Sequence, residues 1–311
     1  MLVVIPVYNL PSEEQTYSMI RNLREIIPSV HVLIVNNSPS ENSYRKLQEI
    51  SDWYFVAGEN MGIGFAYNLA LLLAKLTNER WILILDQDSQ IIDVRELKSL
   101  LEKIDSYLLN DNIAIISINK KFGYCNSMSF HPDFYDCKSV VNSGSLLNVN
   151  ICWKLRYDEK LLIDRIDNEY CHRLRKNGYR ILAYKKQLIS HSVGNGALPF
   201  KKRLSKIMLL ILKTLAITHG VTEYKKVLKS ESKYILYPTW RYYLIIRNTL
   251  YLAIRGRIDF FFIKSLPTFV LALYEQSDLL TTLKLLLRAI YYSLLGNLDR
   301  DNRIFILKNK K

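Results

Sequence analysis

The chain has 311 residues, of which 49% are apolar and 23% charged, enough to build a buried core and to exclude a disordered chain. Its net charge of +14 is unevenly placed: residues 1–199 hold 22 Lys+Arg against 22 Asp+Glu, and residues 200–311 hold 21 against 7. A neutral front and a basic back imply two units with separate jobs. The four cysteines, at 125, 137, 152 and 171, form no C-x-x-C pair. That excludes a zinc ribbon or a thioredoxin motif, and four thiols suit a reducing cytosol.

The N-terminus, MLVVIPVYNL, has no basic stretch before its apolar run, so it reads as a strand and not a secretory signal. That strand spans Leu2–Val7 and ends at Tyr8-Asn9. A helix follows over Ser12–Ile27, with Ser12 as its expected N-cap and Pro28 beyond its end. Val30–Val35 is a second strand, closed by Asn36-Asn37-Ser38-Pro39. Ser43–Ile50 reads as a short helix, Trp53–Val56 as a strand, Gly58–Gly64 as a loop and Phe65–Leu76 as a helix. Trp81–Leu85 is a fourth strand, ended by Asp86-Gln87-Asp88-Ser89. Strands alternating with helices predict an α/β fold with a largely parallel sheet. Ligands of such sheets bind beyond the carboxyl ends of the strands, where the three polar clusters sit.

Beyond residue 90 the expected elements are a helix over Val94–Leu108, a strand over Ile113–Ile118 and a polar turn at Asn142–Ser145 before Leu146–Val149. A helix over Asp164–Asn177 is stopped by Gly178, and short strands cover Arg180–Tyr184 and Gln187–His191. From residue 200 the reading is mostly helical. No stretch reaches the roughly 18 apolar residues that span a bilayer. Leu204–Ile217 is broken by Lys206 and Lys213, and Ile258–Leu273 by Asp259, Lys264 and Pro267. Apolar residues among scattered cations suit helices lying on an anionic membrane surface, or a solvated basic face over an ordinary core.

Three places carry chemistry. Asp86 and Asp88, two apart at a strand end, can hold one hard cation and a ribose hydroxyl, or form a solvated turn. Asp164, Asp167 and Glu169 lie where a helix starts, as dipole-favoured capping residues or as a source of a general base. His191 precedes a Gly-Asn-Gly loop and is either structural or a metal ligand. The Gly62-Ile63-Gly64 run lacks the third glycine of a dinucleotide fingerprint, and neither a Walker A sequence nor a G-x-S-x-G elbow occurs.

Seven pieces in order carry a resemblance: VVIPVYN (3–9), LIVNNS (33–38), ENMGIGFAYN (59–68), ILILDQDS (82–89), NSGSLL (142–147), LIDRIDNEYCHRLRKNGY (162–179) and ISHSVGN (189–195). The chain resembles the family 2 glycosyltransferases of the GT-A fold, and among them the rhamnosyltransferase-like enzymes of bacterial surface polysaccharide synthesis. The resemblance implies a GT-A catalytic domain over 1–200 and a basic, mostly helical, membrane-associating region over 201–311. It also implies a nucleotide-sugar pocket lined by Pro6, Tyr8 and Asn9, bordered by Asn60 and Asn68. Asp86, with Gln87 beside it, would hold the ribose, and Gly144 would leave room for a sugar. Asn36 stands where the family usually has an aspartate, which alters the contact to the donor base or ribose. Asp88 and His191 would hold Mg2+ or Mn2+. Asp167 would be the general base, with Glu169 and Asp164 near it.

The donor implied is dTDP-L-rhamnose, with a UDP-sugar as the alternative. The acceptor implied is a polyprenyl-diphosphate-linked glycan at the cytoplasmic face of the inner membrane. Arg241 and Arg247, in a segment similar to one found after the catalytic domain of rhamnosyltransferase-like members, would reach that diphosphate or simply serve a packing helix. Two rival classes remain. A nucleic-acid binder would use the basic tail, but no recognition motif supports it. That reading would also leave the acidic clusters unused; a non-catalytic scaffold is suggested by the Asn36 departure, but Asp86, Asp88, Asp167 and His191 are all present.

Overall fold

The computed structural model describes residues 1–39, 43–107, 112–119, 124–125, 132–190, 196–218 and 233–308. Contacts divide the chain into two compact units, one of residues 1–192 with 304–311 and the other of residues 193–303.

The first unit is built on a sheet of nine strands among the described residues. Its opening strands are β1 (Leu2–Val7), β2 (His31–Asn36), β3 (Trp53–Val56) and β4 (Trp81–Ile84). The later ones are β6 (Ile113–Ser117), β7 (Tyr124–Cys125), β8 (Phe134–Ser139), β9 (Ser145–Asn148) and β10 (Arg180–Tyr184). Their spatial order is β3-β2-β1-β4-β9-β6-β10-β8-β7. β1 to β4 pair in parallel, as do β6 and β10. β9 runs antiparallel between β4 and β6, and β8 antiparallel beside β10. The sheet is thus mainly parallel and mixed, as expected. A separate pair joins β5 (Gln90–Ile91) to β11 (Ile189–Ser190).

The helices of this unit are α1 (Glu14–Ile26), α2 (Arg45–Ile50), α3 (Ile63–Leu76), α4 (Val94–Tyr107), α5 (Val149–Cys152) and α6 (Ile166–Lys176). Met19, Ile20 and Leu23 of α1 and Leu97, Leu100 and Ile104 of α4 bury their apolar stripes in one core with Val3, Ile5, Val7 and Leu83. A full burial of each such side chain contributes about 1.5–3 kcal/mol.

Several expectations shift. α1 starts at Glu14, and its cap residue is Glu13, not Ser12, whose hydroxyl only reaches the Glu14 N–H at 3.4 Å. α6 begins at Ile166, because Asp164 and Arg165 take left-handed backbone with φ of 60° and 65°. Val149 opens α5 instead of ending a strand, since Asn148 caps it by accepting from the Asn150 N–H. β8 went unread because its sequence, FYDCKS, lacks an apolar run. The pairing of β7 with β8 sets Cys125 opposite Cys137 in a disulfide, which corrects the reading of four thiols; Cys152 and Cys171 are free and buried.

The second unit is mostly helical. It contains α7 (Arg203–Thr218), α8 (Thr239–Ile254), α9 (Phe260–Lys264), α10 (Leu266–Gln276), α11 (Leu279–Leu295) and the start of α12 (Leu298–Lys308). A small hairpin pairs β12 (Ala197–Pro199) with β13 (Lys233–Ile235). Its core holds a polar network. The Arg247 guanidinium, fully buried, donates to Asp301 at 2.5 Å, to Asn302 at 2.9 Å and to Asn248 at 2.8 Å. Tyr243 and Arg288 also donate to Asp301. Among the described residues no helix is long and apolar enough to cross a membrane.

Candidate active site

The site is assembled at the carboxyl ends of β1, β2 and β4. After β4, the Asp86-Gln87-Asp88 turn is pinned from several sides. Thr16 donates to the Gln87 carbonyl at 3.0 Å, and Gln15 to that of Asp88 at 3.3 Å. Ser143 accepts from the Asp86 N–H at 3.2 Å and lies 2.6 Å from the Ser89 hydroxyl. The Gln87 amide closes on the end of β1 in both directions, accepting from the Tyr8 N–H at 2.8 Å and donating to its carbonyl at 3.3 Å. Gln87 therefore ties two strand ends together, and its amide is committed to backbone. Pro6 lies in β1 opposite Val35, and Tyr8 is exposed just after it. Asn9 has a φ of 46° and donates its N–H to Ser38 at 2.9 Å.

Several expected ligand contacts turn out to be internal. Asn36 is buried; its carbonyl accepts from the Ser38 N–H at 3.0 Å and its amide donates to Tyr54 at 3.2 Å. It shapes the turn after β2. Asn60 accepts from the Gly62 N–H at 3.0 Å and shapes the next loop. Asn68 accepts from the Tyr157 N–H at 2.9 Å and donates to the Tyr157 carbonyl at 3.0 Å and to Glu159 at 2.7 Å. It fastens α3 to the 157–159 segment.

Gly144 lets two side chains of the fold approach its backbone closely. Its φ is +82°, and a Cβ there would lie 3.1 Å from Asn119 and from Ile189. Glu169 is fully buried and paired with Arg173 at 2.8 Å, so it is spent in the fold. Arg247 is likewise buried and neutralised by Asp301, which removes it from a surface that could meet an acceptor diphosphate. Arg241 is half-buried with its guanidinium 4.3 Å from the Tyr237 ring centre. His191 lies outside the described residues.

Asp167 sits in the first turn of α6, half-buried, with one oxygen accepting from the Asn168 N–H at 2.8 Å. Burial pushes its carboxyl up to about 6, against the opposing pull of that hydrogen bond and of the Arg165 charge; neighbouring Asp164 pushes it further up. Asp164 itself precedes the helix in strained backbone. Two successive non-glycine residues with positive φ cost of order 1–3 kcal/mol each, a strain found where a site over-determines the chain.

The glycines of Gly62-Ile63-Gly64 explain how α6 reaches the site. A Cβ at Gly62 would lie 2.9 Å from the Leu162 carbonyl, and one at Gly64 2.8 Å from Ile166. Their absence lets the start of α3 lie directly against the segment that delivers Asp167.

Two functional candidates escaped the sequence reading. Tyr67 is buried, and among the described residues its hydroxyl has no hydrogen-bond partner. Burial first, then the charges of Asp86 and Asp167, hold its phenol well above the usual range. Asn37 donates to the Gly62 carbonyl at 3.1 Å, and its own carbonyl oxygen is buried with no partner among the described residues. The only sequence signal for either was adjacency to a residue already named.

Among the described residues no group of three His, Cys, Asp or Glu side chains is placed to hold a metal ion. What stands there is an exposed Asp88 and a half-buried Asp86 on one fixed turn. That donor set suits a hard cation that takes its remaining oxygens from phosphates and water.

The model of "Glycosyl transferase family 2" matches residues 2–190. A dTDP-rhamnosyl transferase, RfbF, of Shigella flexneri is 24% identical over 211 residues, covering 62% of this chain and 69% of that one. The solved structure of S. aureus TarS aligns with a TM-score of 0.45 at 18% identity, covering 69% of this chain and 39% of that chain. Its 1–349 form in complex with UDP aligns with a TM-score of 0.43 at 17% identity, over 69% of this chain and 65% of that one. The family match spans more than half of the sequence, and the chain belongs to glycosyl transferase family 2.

Proposed function

We propose that this glycosyltransferase moves L-rhamnose, with inversion, from dTDP-L-rhamnose to a polyprenyl-diphosphate-linked glycan of a bacterial surface polysaccharide such as O-antigen or capsule. What supports the reaction type is the family match over residues 2–190, which takes in Asp86 just after β4 and Asp167 in the first turn of α6. One carboxylate comes from the nucleotide end of the sheet and the other from the start of α6. The sugar assignment is supported by the rhamnosyl relative.

In this reading Asp86 accepts from the ribose, and the Tyr67 hydroxyl and Asn37 carbonyl find in the donor the partners that no described residue supplies. Asp88 would hold Mg2+ or Mn2+, whose charge, when bound, offsets that developing on the leaving diphosphate. Asp167, with its carboxyl near 6, is mostly ionised at neutral pH yet basic enough to take a proton. It removes the acceptor hydroxyl proton as that oxygen forms its bond to the anomeric carbon. The bond from that carbon to the diphosphate oxygen breaks on the opposite face, so a β-linked donor gives an α-rhamnoside. Arg241 offers its guanidinium to the acceptor diphosphate. A lipid-linked acceptor places the work at the cytoplasmic face of the inner membrane.

The test is ligand-detected NMR against dTDP-, UDP- and GDP-sugars, with and without Mn2+, beside Asp88→Ala. Metal-dependent binding of dTDP-rhamnose alone, lost in the variant, is expected. Selective binding of a UDP-sugar would overturn the rhamnose assignment and leave the reaction type standing.

A further inference from the structure

Helix α11 carries a contiguous apolar face that nothing among the described residues of its own unit covers. Leu280, Leu283, Leu287, Ile290 and Leu294 are 45–68% exposed. Leu279, Tyr291 and Leu295 widen the same stripe. At 3.6 residues per turn these eight side chains fall within about 160° of the helix circumference. The opposite side is anchored: Thr282, Ala289 and Ser293 are buried, and the Ser293 hydroxyl donates to the Arg247 carbonyl of α8 at 2.8 Å. The helix is therefore held in place with its apolar face outward.

What covers that face is indicated by charge. Between Leu279 and Leu295 there is no Asp or Glu, and the cations are Lys284, exposed near the edge of the stripe between Tyr291 and Leu295, and Arg288, engaged with Asp301. The spacing 280-283-287-290-294 would suit a coiled-coil seam with a second copy. Such a seam is narrow and takes complementary charges at its flanks. This stripe is wide, and a second copy would bring Lys284 only more positive charge. Helix α7 repeats the composition, with Leu204, Ile207, Met208 and Ile211 exposed and Arg203 and Lys206 as its charges over the described side chains. Residues 200–311 as a whole hold 21 cations against 7 anions.

We propose that α11 is an interfacial helix that lays its leucine face into the headgroup–acyl boundary of an anionic bilayer. Lys284 and the basic surroundings supply the electrostatic half of the attachment. This rests on the reading of a lipid-linked acceptor only for its biological sense, since the face and the charge exist without it.

The experiment is co-sedimentation of the full chain with phosphatidylcholine vesicles, with and without phosphatidylglycerol. The variants are the triple Leu283→Gln/Leu287→Gln/Leu294→Gln and, separately, Lys284→Glu. The changed positions are exposed, and circular dichroism checks the fold. Wild type should partition onto the phosphatidylglycerol vesicles. Partitioning should fall about tenfold or more in the triple variant and less in Lys284→Glu, and should weaken as salt rises. Unchanged partitioning in the triple variant would overturn the proposal. So would a wild-type dimer in sedimentation velocity that the triple variant turns into a monomer, because the face would then belong to a second copy. Donor binding by NMR on the same samples separates the two readings: its loss in wild type would sink the donor assignment and leave the membrane result intact.

Discussion

Asp167 shows how much local chemistry one position can concentrate. Its folded carboxyl is raised to about 6 from an ordinary 3.8, chiefly by burial. The folded state then binds more protons than the unfolded one between about pH 4 and 6. Stability falls as pH rises through that window, and above it the buried charge costs roughly 2–3 kcal/mol. Asp167→Asn should therefore raise the melting temperature at pH 7.5 while lowering turnover by about 10²–10⁴-fold. In the wild type, kcat/KM should climb with pH through about 6, as the base loses its proton. A variant that is both inactive and less stable would separate Asp167 from this account. Tyr67→Phe makes the complementary case. The ring stays packed against Tyr157, 5.0 Å between centroids, but the unsatisfied hydroxyl is removed. Melting should be unchanged or higher by a few degrees, while donor binding measured by titration weakens about tenfold. Loss of stability with unaltered donor affinity would make the hydroxyl purely structural.

At the level of elements, the close approach of α3 to the 158–166 segment should be the least tolerant feature. Gly62→Ala combines a φ of +83° with a Cβ 2.9 Å from a backbone carbonyl, which cannot move aside as a side-chain tip can. A destabilisation of about 2–3 kcal/mol is expected, read as a fall in denaturant midpoint. These glycines stood in the sequence as a failed dinucleotide fingerprint; their purpose is packing, which only the partner segment discloses. Strands such as Leu2–Val7 and Trp53–Val56 were legible because β-branched and aromatic runs between turn residues specify them locally. β8 was not, because FYDCKS owes its extended form to pairing with Tyr184, Ala183 and Leu182 across the sheet. The left-handed Asp164-Arg165 pair was equally hidden, since neither residue type announces positive φ as glycine does.

For the whole molecule, the legible part was the contrast between a neutral front and a basic back, because charge is additive along the chain. The fate of an individual charge was not. Arg247 reads in sequence as a surface cation, yet in the structure it is sealed among Asp301, Asn302 and Asn248. Removing Arg247 takes one of two cations from the buried Asp301, whose other is Arg288, and leaves Asn302 and Asn248 without that donor, at a cost of about 1–3 kcal/mol. Arg247→Met should accordingly lower the melting temperature by several degrees through the C-terminal unit, with donor affinity in NMR titrations unchanged. Weakened donor affinity with unaltered melting would return Arg247 to a binding role.

The fastening of α3 to the segment before α6 also has a consequence for exchanging parts between related enzymes. The 58–68 stretch grips the 157–166 stretch through Asn68 with Tyr157 and Glu159, through the Ile63 N–H with the Leu162 carbonyl, and through the two bare glycine faces. The two stretches behave as one cassette split across about a hundred residues of chain. A chimera that imports a foreign first half alone inherits a misfit just ahead of Asp167. One that imports both halves together carries the 58–68 loop and the start of α6 across as a matched set.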